Sequence, residues 1–145
     1  ERACQFQQAE QDSGWSPNIF VHVNMERRQI HAGTCLQCET ALCMEVCPTN
    51  AITRDPQTNA VVVDRENCLG CGMCVAACPF GYMNLDDSIH KATKCDLCGG
   101  HPKCVQMCMA NALHFGSINA LAEQKRNRID LRLGLRAVPV VKGGD

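Results

Sequence analysis

The sequence predicts a small α+β fold of short strands and short helices, in which one cysteine-bearing half is made twice and a C-terminal extension follows. Three observations predict it. Cys68 to Pro79 spells C-x2-C-x2-C-x3-C-P. Cys35 to Pro48 repeats it as C-x2-C-x4-C-x3-C-P, with Cys35 and Cys38 lying 33 residues before Cys68 and Cys71, and Cys43 and Cys47 lying 31 before Cys74 and Cys78. Ordinary core material is scarce, four Phe, one Tyr and one Trp against 13 Cys in 145 residues, so something other than side-chain packing must hold the chain together.

The spacing identifies that something. C-x2-C-x2-C-x3-C-P places three thiolates around one iron–sulfur cube and sends the fourth, before the proline, to a neighbouring cube. Three cysteines so close cannot all pair with one another, and short loops let backbone N–H groups point at the sulfurs of an anionic cluster. Gly70 and Gly72 suit such a loop because glycine accepts backbone angles that strain other residues. A disulfide scaffold and zinc sites are the other readings of a cysteine-rich short chain, and the spacing favours neither. With the exchange of last cysteines, one 4Fe-4S cluster falls to Cys35, Cys38, Cys43 and Cys78, and a second to Cys68, Cys71, Cys74 and Cys47. An exchanged pair of this kind predicts pseudo-twofold symmetry.

The elements follow in chain order, in four segments: 1–34, 35–92, 93–116 and 117–145. Glu1 to Asn18 is polar and rich in Gln, with Cys4 near its start, and Ser13-Gly14-Trp15-Ser16-Pro17 reads as a loop. Ile19 to Val23 is a short β-like run, and Glu26-Arg27-Arg28 a surface turn. Ala51-Ile52-Thr53 and Ala60-Val61-Val62-Val63 flank Asp55-Pro56-Gln57-Thr58-Asn59, which predicts a hairpin covering one side of the cluster pair. A third motif, C-x2-C-x5-C-x3-C from Cys95 through Cys98 and Cys104 to Cys108, has Met109 where the others have proline. Ala51-Ile52, Tyr82-Met83 and Ala112-Leu113 fall at the same positions after the three last cysteines, so this third unit is a diverged copy of the same half. His101 inside its loop reads as a loop or hydrogen-bonding residue, since four thiolates are present without it. Met44, Met73, Met107 and Met109 read as flexible packing beside the cysteines.

Beyond Leu113 the motifs stop. Ile118, Leu121 and Ala122 fit one face of a short helix ending near Arg128. Then Ile129, Leu131, Leu133 and Leu135 alternate with Asp130, Arg132, Gly134 and Arg136, which predicts a strand. Residues 121–145 carry six Lys and Arg against three acids, leaving eight against twelve before them. An acidic body with a basic tail suggests that segment 117–145 docks a protein partner. The formal net charge of −1 argues against a nucleic-acid binder. No hydrophobic run is long enough to span a membrane and no secretory signal is visible. Thiolate ligands and oxygen-sensitive clusters imply a reducing, cytoplasmic setting. No nucleophile with its base, phosphate loop or nicotinamide fingerprint is present, so any catalytic event belongs to another chain, and this one passes single electrons.

The succession of the two proline-ended motifs and Lys94-Cys95-Asp96-Leu97-Cys98 resembles the ferredoxin-like electron-transfer subunits of molybdenum and tungsten oxidoreductases, hydrogenases and carbon monoxide dehydrogenase, over about residues 19–115. The resemblance implies a duplicated bacterial-ferredoxin-like fold of βαβ type. It implies a large catalytic partner bearing a tungsten or molybdenum pterin, and an external electron donor or acceptor protein. In relatives with four such motifs, the first and fourth exchange their final cysteines. On that pattern Cys4 completes a third 4Fe-4S cluster with Cys95, Cys98 and Cys104; the alternative uses Cys108 as fourth ligand and leaves Cys4 free. A fourth cluster would need residues before Glu1. A reduced, three-cluster set is similar to the small subunit of class II, tungsten-containing benzoyl-coenzyme A reductase and to that of tungsten aldehyde oxidoreductases. A free polyferredoxin and a colourless zinc-binding module are the remaining alternatives.

Overall fold

A computed structural model describes residues 1–10 and 16–135. It divides into two compact units, Glu1–Met107 and Cys108–Asp145. In the first unit, helix α1 (Arg2–Glu10) is followed by strands β1 (Ile19–Asn24) and β2 (Gln29–Thr34), helix α2 (Leu42–Glu45), and strands β3 (Ile52–Arg54) and β4 (Val61–Val63). Helix α3 (Met73–Ala77), strands β5 (Asn84–Asp86) and β6 (Lys91–Thr93), a 3-10 turn (Leu97–Gly100) and helix α4 (Lys103–Gln106) complete it. The strands form three separate two-stranded antiparallel sheets, β1 with β2, β3 with β4 and β5 with β6.

The order cysteine loop, short helix, hairpin occurs twice in succession, through α2 and β3–β4 and again through α3 and β5–β6, and α2 packs on α3. The expected hairpin across residues 51–63 is present, with Ile52 opposite Val63 and Arg54 opposite Val61. Its turn is held by Asp55, whose carboxylate accepts from the Gln57 N–H at 3.1 Å, while Asn59 takes the left-handed conformation at φ 58°. Asparagine is among the residues that tolerate that region best. The second hairpin turns in the same manner on Asp86, which accepts from the Ser88 N–H at 2.9 Å.

The core of this unit is made of small side chains. Ala41, Ala51, Ala92, Ile52, Val61 and Met83 are buried with Cys68 and Cys74, and no aromatic ring is among them. The first hairpin, β1–β2, carries the surface turn expected at residues 26–28, where Arg28 sits at φ 51°. At its base Phe20 stacks on Tyr82 with ring centroids 6.4 Å apart. Gly33 is required there, because a Cβ would lie 2.4 Å from the Tyr82 hydroxyl oxygen.

Two segments differ from the sequence expectation. The polar opening stretch is helix α1, and it packs against α4. It has no apolar stripe; Cys4 and Gln8, four residues apart and therefore on one face, are its buried residues. Of the expected loop at residues 13–17, the first three residues lie outside those described, and Ser16 and Pro17 have no regular structure. In the second unit, helix α5 (Ile118–Arg132) runs through most of the predicted strand. Ser117 caps its start, accepting from the Ala120 N–H at 3.2 Å. Gly134, at φ 70°, ends it: the Gly134 N–H donates to Leu131 O at 3.3 Å and the Leu135 N–H to Asp130 O at 2.8 Å, the paired bonds of a left-handed helix stop. The alternation from Ile129 to Leu135 loses to helix formers closed by a glycine. Ile129, Leu131, Leu133 and Leu135 are all exposed. Arg136 and the rest of the proposed docking tail lie outside the described residues. No helix among those described is long and apolar enough to cross a membrane.

Candidate iron–sulfur sites

All thirteen cysteines are free thiols. Each cysteine loop reverses on a residue in the left-handed region two positions after its first cysteine: Gln37 at φ 51°, Gly70 at φ 70° and Leu97 at φ 59°. The reversal turns the backbone back toward the thiol. The Gln37 N–H donates to Cys35 Sγ at 3.5 Å, and the Gly70 N–H to Cys68 Sγ at 3.4 Å. Gly70 is required for a second reason, since a Cβ there would lie 2.2 Å from the His90 carbonyl oxygen. Each motif also closes alike. The third residue after the last cysteine is left-handed, Asn50 at φ 52°, Gly81 at φ 69° and Asn111 at φ 47°. Its N–H returns to the carbonyl of Cys47, Cys78 or Cys108 at 3.0–3.3 Å.

These loops wall two cavities in the first unit. Cys35, Cys38, Cys43 and Cys78 line one of about 130 Å³, together with Ala41, Val61 and Lys94. Cys68, Cys71, Cys74 and Cys47 line the other, of about 20 Å³, with Ile52 and Ala92. Each cavity therefore takes three thiols from its own motif and the last thiol of the other. The donor set, four soft sulfurs in an apolar wall, is that of a four-iron cube. Leu69 and Met73, which line the tighter cavity, are largely exposed.

The remaining motif meets the N-terminal helix. Cys4 is 7% exposed and its Sγ accepts from the Asn18 N–H at 3.2 Å. Its thiol is pushed up first by burial, against the pull of that N–H, and then by Cys95, Cys104 and Asp96. Cys98 is raised by burial, with Asp96, Cys4 and Cys95 adding to it, and Cys104 by burial, Cys95 and Cys98. Cys4, Cys95, Cys98 and Cys104 thus lie within electrostatic reach of one another. The Asn18 side-chain amide is buried with no hydrogen-bond partner, which fits a bound group that would accept from it. Cys108 belongs to the second unit. Its thiol is held below the ordinary value by the N–H groups of Leu113 and Ala112, the latter at 3.2 Å.

In the first two sets, burial raises Cys43 against the Lys94 charge, and burial and Cys68 raise Cys74. Cys47 goes the other way. Burial opposes it, but the Thr49 hydroxyl and the N–H groups of Thr49, Ala51 and Ile52 hold it below the ordinary value. A cation grips a cysteine carbonyl in each motif: Arg54 Nη2 donates to Cys38 O at 2.8 Å, Lys91 Nζ to Cys68 O at 2.7 Å and Lys94 Nζ to Cys95 O at 2.9 Å. Among the described residues, no group of three or more His, Cys, Asp or Glu could hold a single metal ion. His101 is exposed and donates its backbone N–H to Cys98 O at 3.2 Å, a loop role. Of the four methionines, Met44 packs on the core, whereas Met73, Met107 and Met109 are exposed, so the packing expectation holds for one of them. Gln37, Asn18 and the arginine–lysine grips went unread in the sequence, since no spacing marks them.

Known proteins carry the same pattern. The chain is 48% identical over 75 residues to the polyferredoxin-like subunit of an aliphatic sulfonate oxidoreductase of Pyrococcus furiosus, covering 52% of this chain and 43% of that one. It is 42% identical over 93 residues to the thiosulfate reductase electron transfer subunit of Salmonella typhi, covering 59% and 48%. To the iron–sulfur subunit of the nitrate-inducible formate dehydrogenase of Escherichia coli it is 34% identical over 101 residues, covering 66% and 34%. The chain thus spans a third to a half of the length of these relatives. The 4Fe-4S dicluster domain model matches residues 27–118, the stretch that holds both cavities and the third cysteine motif. With four thiols on each of two cavities and that match over more than half its length, the chain belongs to the 4Fe-4S dicluster domain family.

Proposed function

We propose that this chain is the electron-transfer subunit of an oxidoreductase complex and relays single low-potential electrons through three 4Fe-4S clusters. The clusters are held by Cys35, Cys38, Cys43 and Cys78; by Cys68, Cys71, Cys74 and Cys47; and by Cys95, Cys98, Cys104 and Cys4. The observation that carries the reading is the pair of cavities, each walled by four thiols with the last one exchanged. Four thiolates leave no open position on the iron, so the bound group supplies one-electron transfer and no substrate chemistry. The residues of this chain bind it, exclude water with apolar walls and aim N–H groups at sulfur. The exchange and the repeated loop, helix and hairpin support a duplicated ferredoxin-like body for residues 35–92.

Catalysis then lies in a partner, which the names of the relatives support, since they are subunits of sulfonate, thiosulfate and formate enzymes. The three-cluster set favours a large tungsten- or molybdenum-pterin subunit, with class II benzoyl-coenzyme A reductase as the specific case, fed by an external donor protein in a cytoplasmic setting. Segment 117–145 is its docking element; α5 leaves Ile129, Leu131 and Leu133 exposed. Metal analysis of the anaerobically purified native complex tests the clusters and the catalytic partner. About twelve irons and as many sulfides per chain, three four-iron cubes, with tungsten in a co-purifying large subunit, are expected. Molybdenum there moves the assignment away from benzoyl-coenzyme A reductase. About sixteen irons would mean a fourth cluster that draws on residues before Glu1, and zinc without sulfide overturns the reading.

A further inference from the structure

Lys94 stands apart from the other cations among the described residues. It is 5% exposed, and it lines the cavity of Cys35, Cys38, Cys43 and Cys78. Its Nζ donates to Val61 O, to Cys95 O at 2.9 Å and to Gln37 Oε1 at 3.3 Å. Three oxygen acceptors use all three N–H bonds of an ammonium, whereas a neutral amine has only two to give. Gln37 locks the arrangement: its Nε2 donates to the same Cys95 carbonyl at 2.7 Å, and its Oε1 also accepts from the Val61 N–H at 2.8 Å. The side chain is thus a fixed, buried positive charge in the wall of one cavity. The cavity of Cys47, Cys68, Cys71 and Cys74 has no charged residue in its lining. The two cations nearest in role, Arg54 and Lys91, grip cysteine carbonyls but are partly exposed and line neither cavity. Water and salt screen an exposed charge far more than a buried one.

A one-electron reduction adds negative charge to a cluster, and net charge, hydrogen bonding and exposure set how readily it accepts one. We propose that Lys94 is a tuning residue that raises the reduction potential of the cluster on Cys35, Cys38, Cys43 and Cys78 above that of its pseudo-symmetric neighbour. Two sites built from one repeated half are made unequal by a single buried charge, so the shared electron settles on the first. The same ammonium bonds the backbone of Cys95, so it ties the favoured site to the third motif. This rests on the cluster reading given above.

The test is an EPR-monitored potentiometric titration of the full chain, purified anaerobically with its accompanying subunits, alongside iron and sulfide content. The signal of the first cluster is the one altered by Cys43→Ser. Lys94→Gln, which keeps a hydrogen-bonding group but not the charge, and Lys94→Met are both expected to shift the reduction equilibrium of that cluster about tenfold toward the oxidised form, about 59 mV. The neighbouring cluster should shift much less, and Lys94→Arg should restore the wild-type value. Equal shifts in both clusters, or an unshifted first cluster in Lys94→Gln at full iron content, overturn the proposal and leave the cluster reading intact. Loss of the shift in Lys94→Gln but not Lys94→Met would assign the effect to packing, and so overturn it too. Should Lys94→Met fail to retain iron, the Gln and Arg variants decide the matter. Wild-type protein without iron and sulfide overturns both readings.

Discussion

Replacing Cys78 with alanine should empty the site of the first motif, although Cys78 lies within the second. Cys78 shares a cavity with Cys35, Cys38 and Cys43, and Cys47 shares one with Cys68, Cys71 and Cys74. With four irons in each of three cubes, Cys78→Ala should lower iron from about twelve to about eight per chain. Cys47→Ala should do the same, so the count alone does not separate the two. The identity of the lost signal does. The cluster missing from the EPR spectrum of reduced Cys78→Ala should be the one missing in Cys43→Ala, and the cluster missing in Cys47→Ala the one missing in Cys74→Ala. Cys78 is partly exposed, so trimming it removes a ligand with little packing, and the second cluster should survive. If Cys78→Ala and Cys74→Ala erased the same signal, the exchange of last cysteines would be refuted.

Gly70→Ala should cost about 2–5 kcal/mol, a left-handed penalty of about 1–2 with overpacking of about 1–3 against the His90 carbonyl. Gly72→Ala, also left-handed but with nothing within 4 Å, should cost the first part only; urea titrations giving equal losses would sink the argument. Acidification should strip iron from the third set first and from the second last. Protons compete with iron for thiolates: burial pushes the Cys4, Cys98 and Cys104 thiols up from their ordinary value, whereas the second set pairs a raised Cys74 with a lowered Cys47. Affinity therefore falls as pH falls, most steeply where more raised thiols gather, and simultaneous bleaching of every cluster signal would contradict the order. Removing residues 117–145 should abolish co-purification with the large subunit while leaving the iron content unchanged; retained co-purification would end the docking reading.

Cysteine chemistry is written in spacing, and so the four cysteines that line each cavity could be grouped before any fold was known. Spacing sees ligands because metal geometry forces them to recur at fixed intervals. It does not see Lys94 or Gln37, whose hydrogen bonds join Val61 and Cys95 to the first loop. The hairpin at residues 51–63 was legible because β-branched runs flank a Pro-Asn turn, and the left-handed Asn59 that closes it is an ordinary turn residue. Helix α1 was missed because its buried residues are one cysteine and one glutamine rather than an apolar stripe. The tail misled for the opposite reason. Its period-2 pattern from Ile129 to Leu135 was real, but Gly134, a stop signal for a helix, was read as a small residue on a strand.

The closure of the chain upon itself also sets an order of manufacture. During synthesis, Cys35, Cys38 and Cys43 leave the ribosome long before Cys78, so neither inner site can be finished until the second motif has emerged. In the third set as proposed, Cys4 and Cys104 stand outside both inner sets in sequence. Its long loop carries the largest closure entropy, although that penalty grows only slowly with length. On that assignment the outermost set is the last to be completed during synthesis, and through Cys4 it ties helix α1 to the third motif.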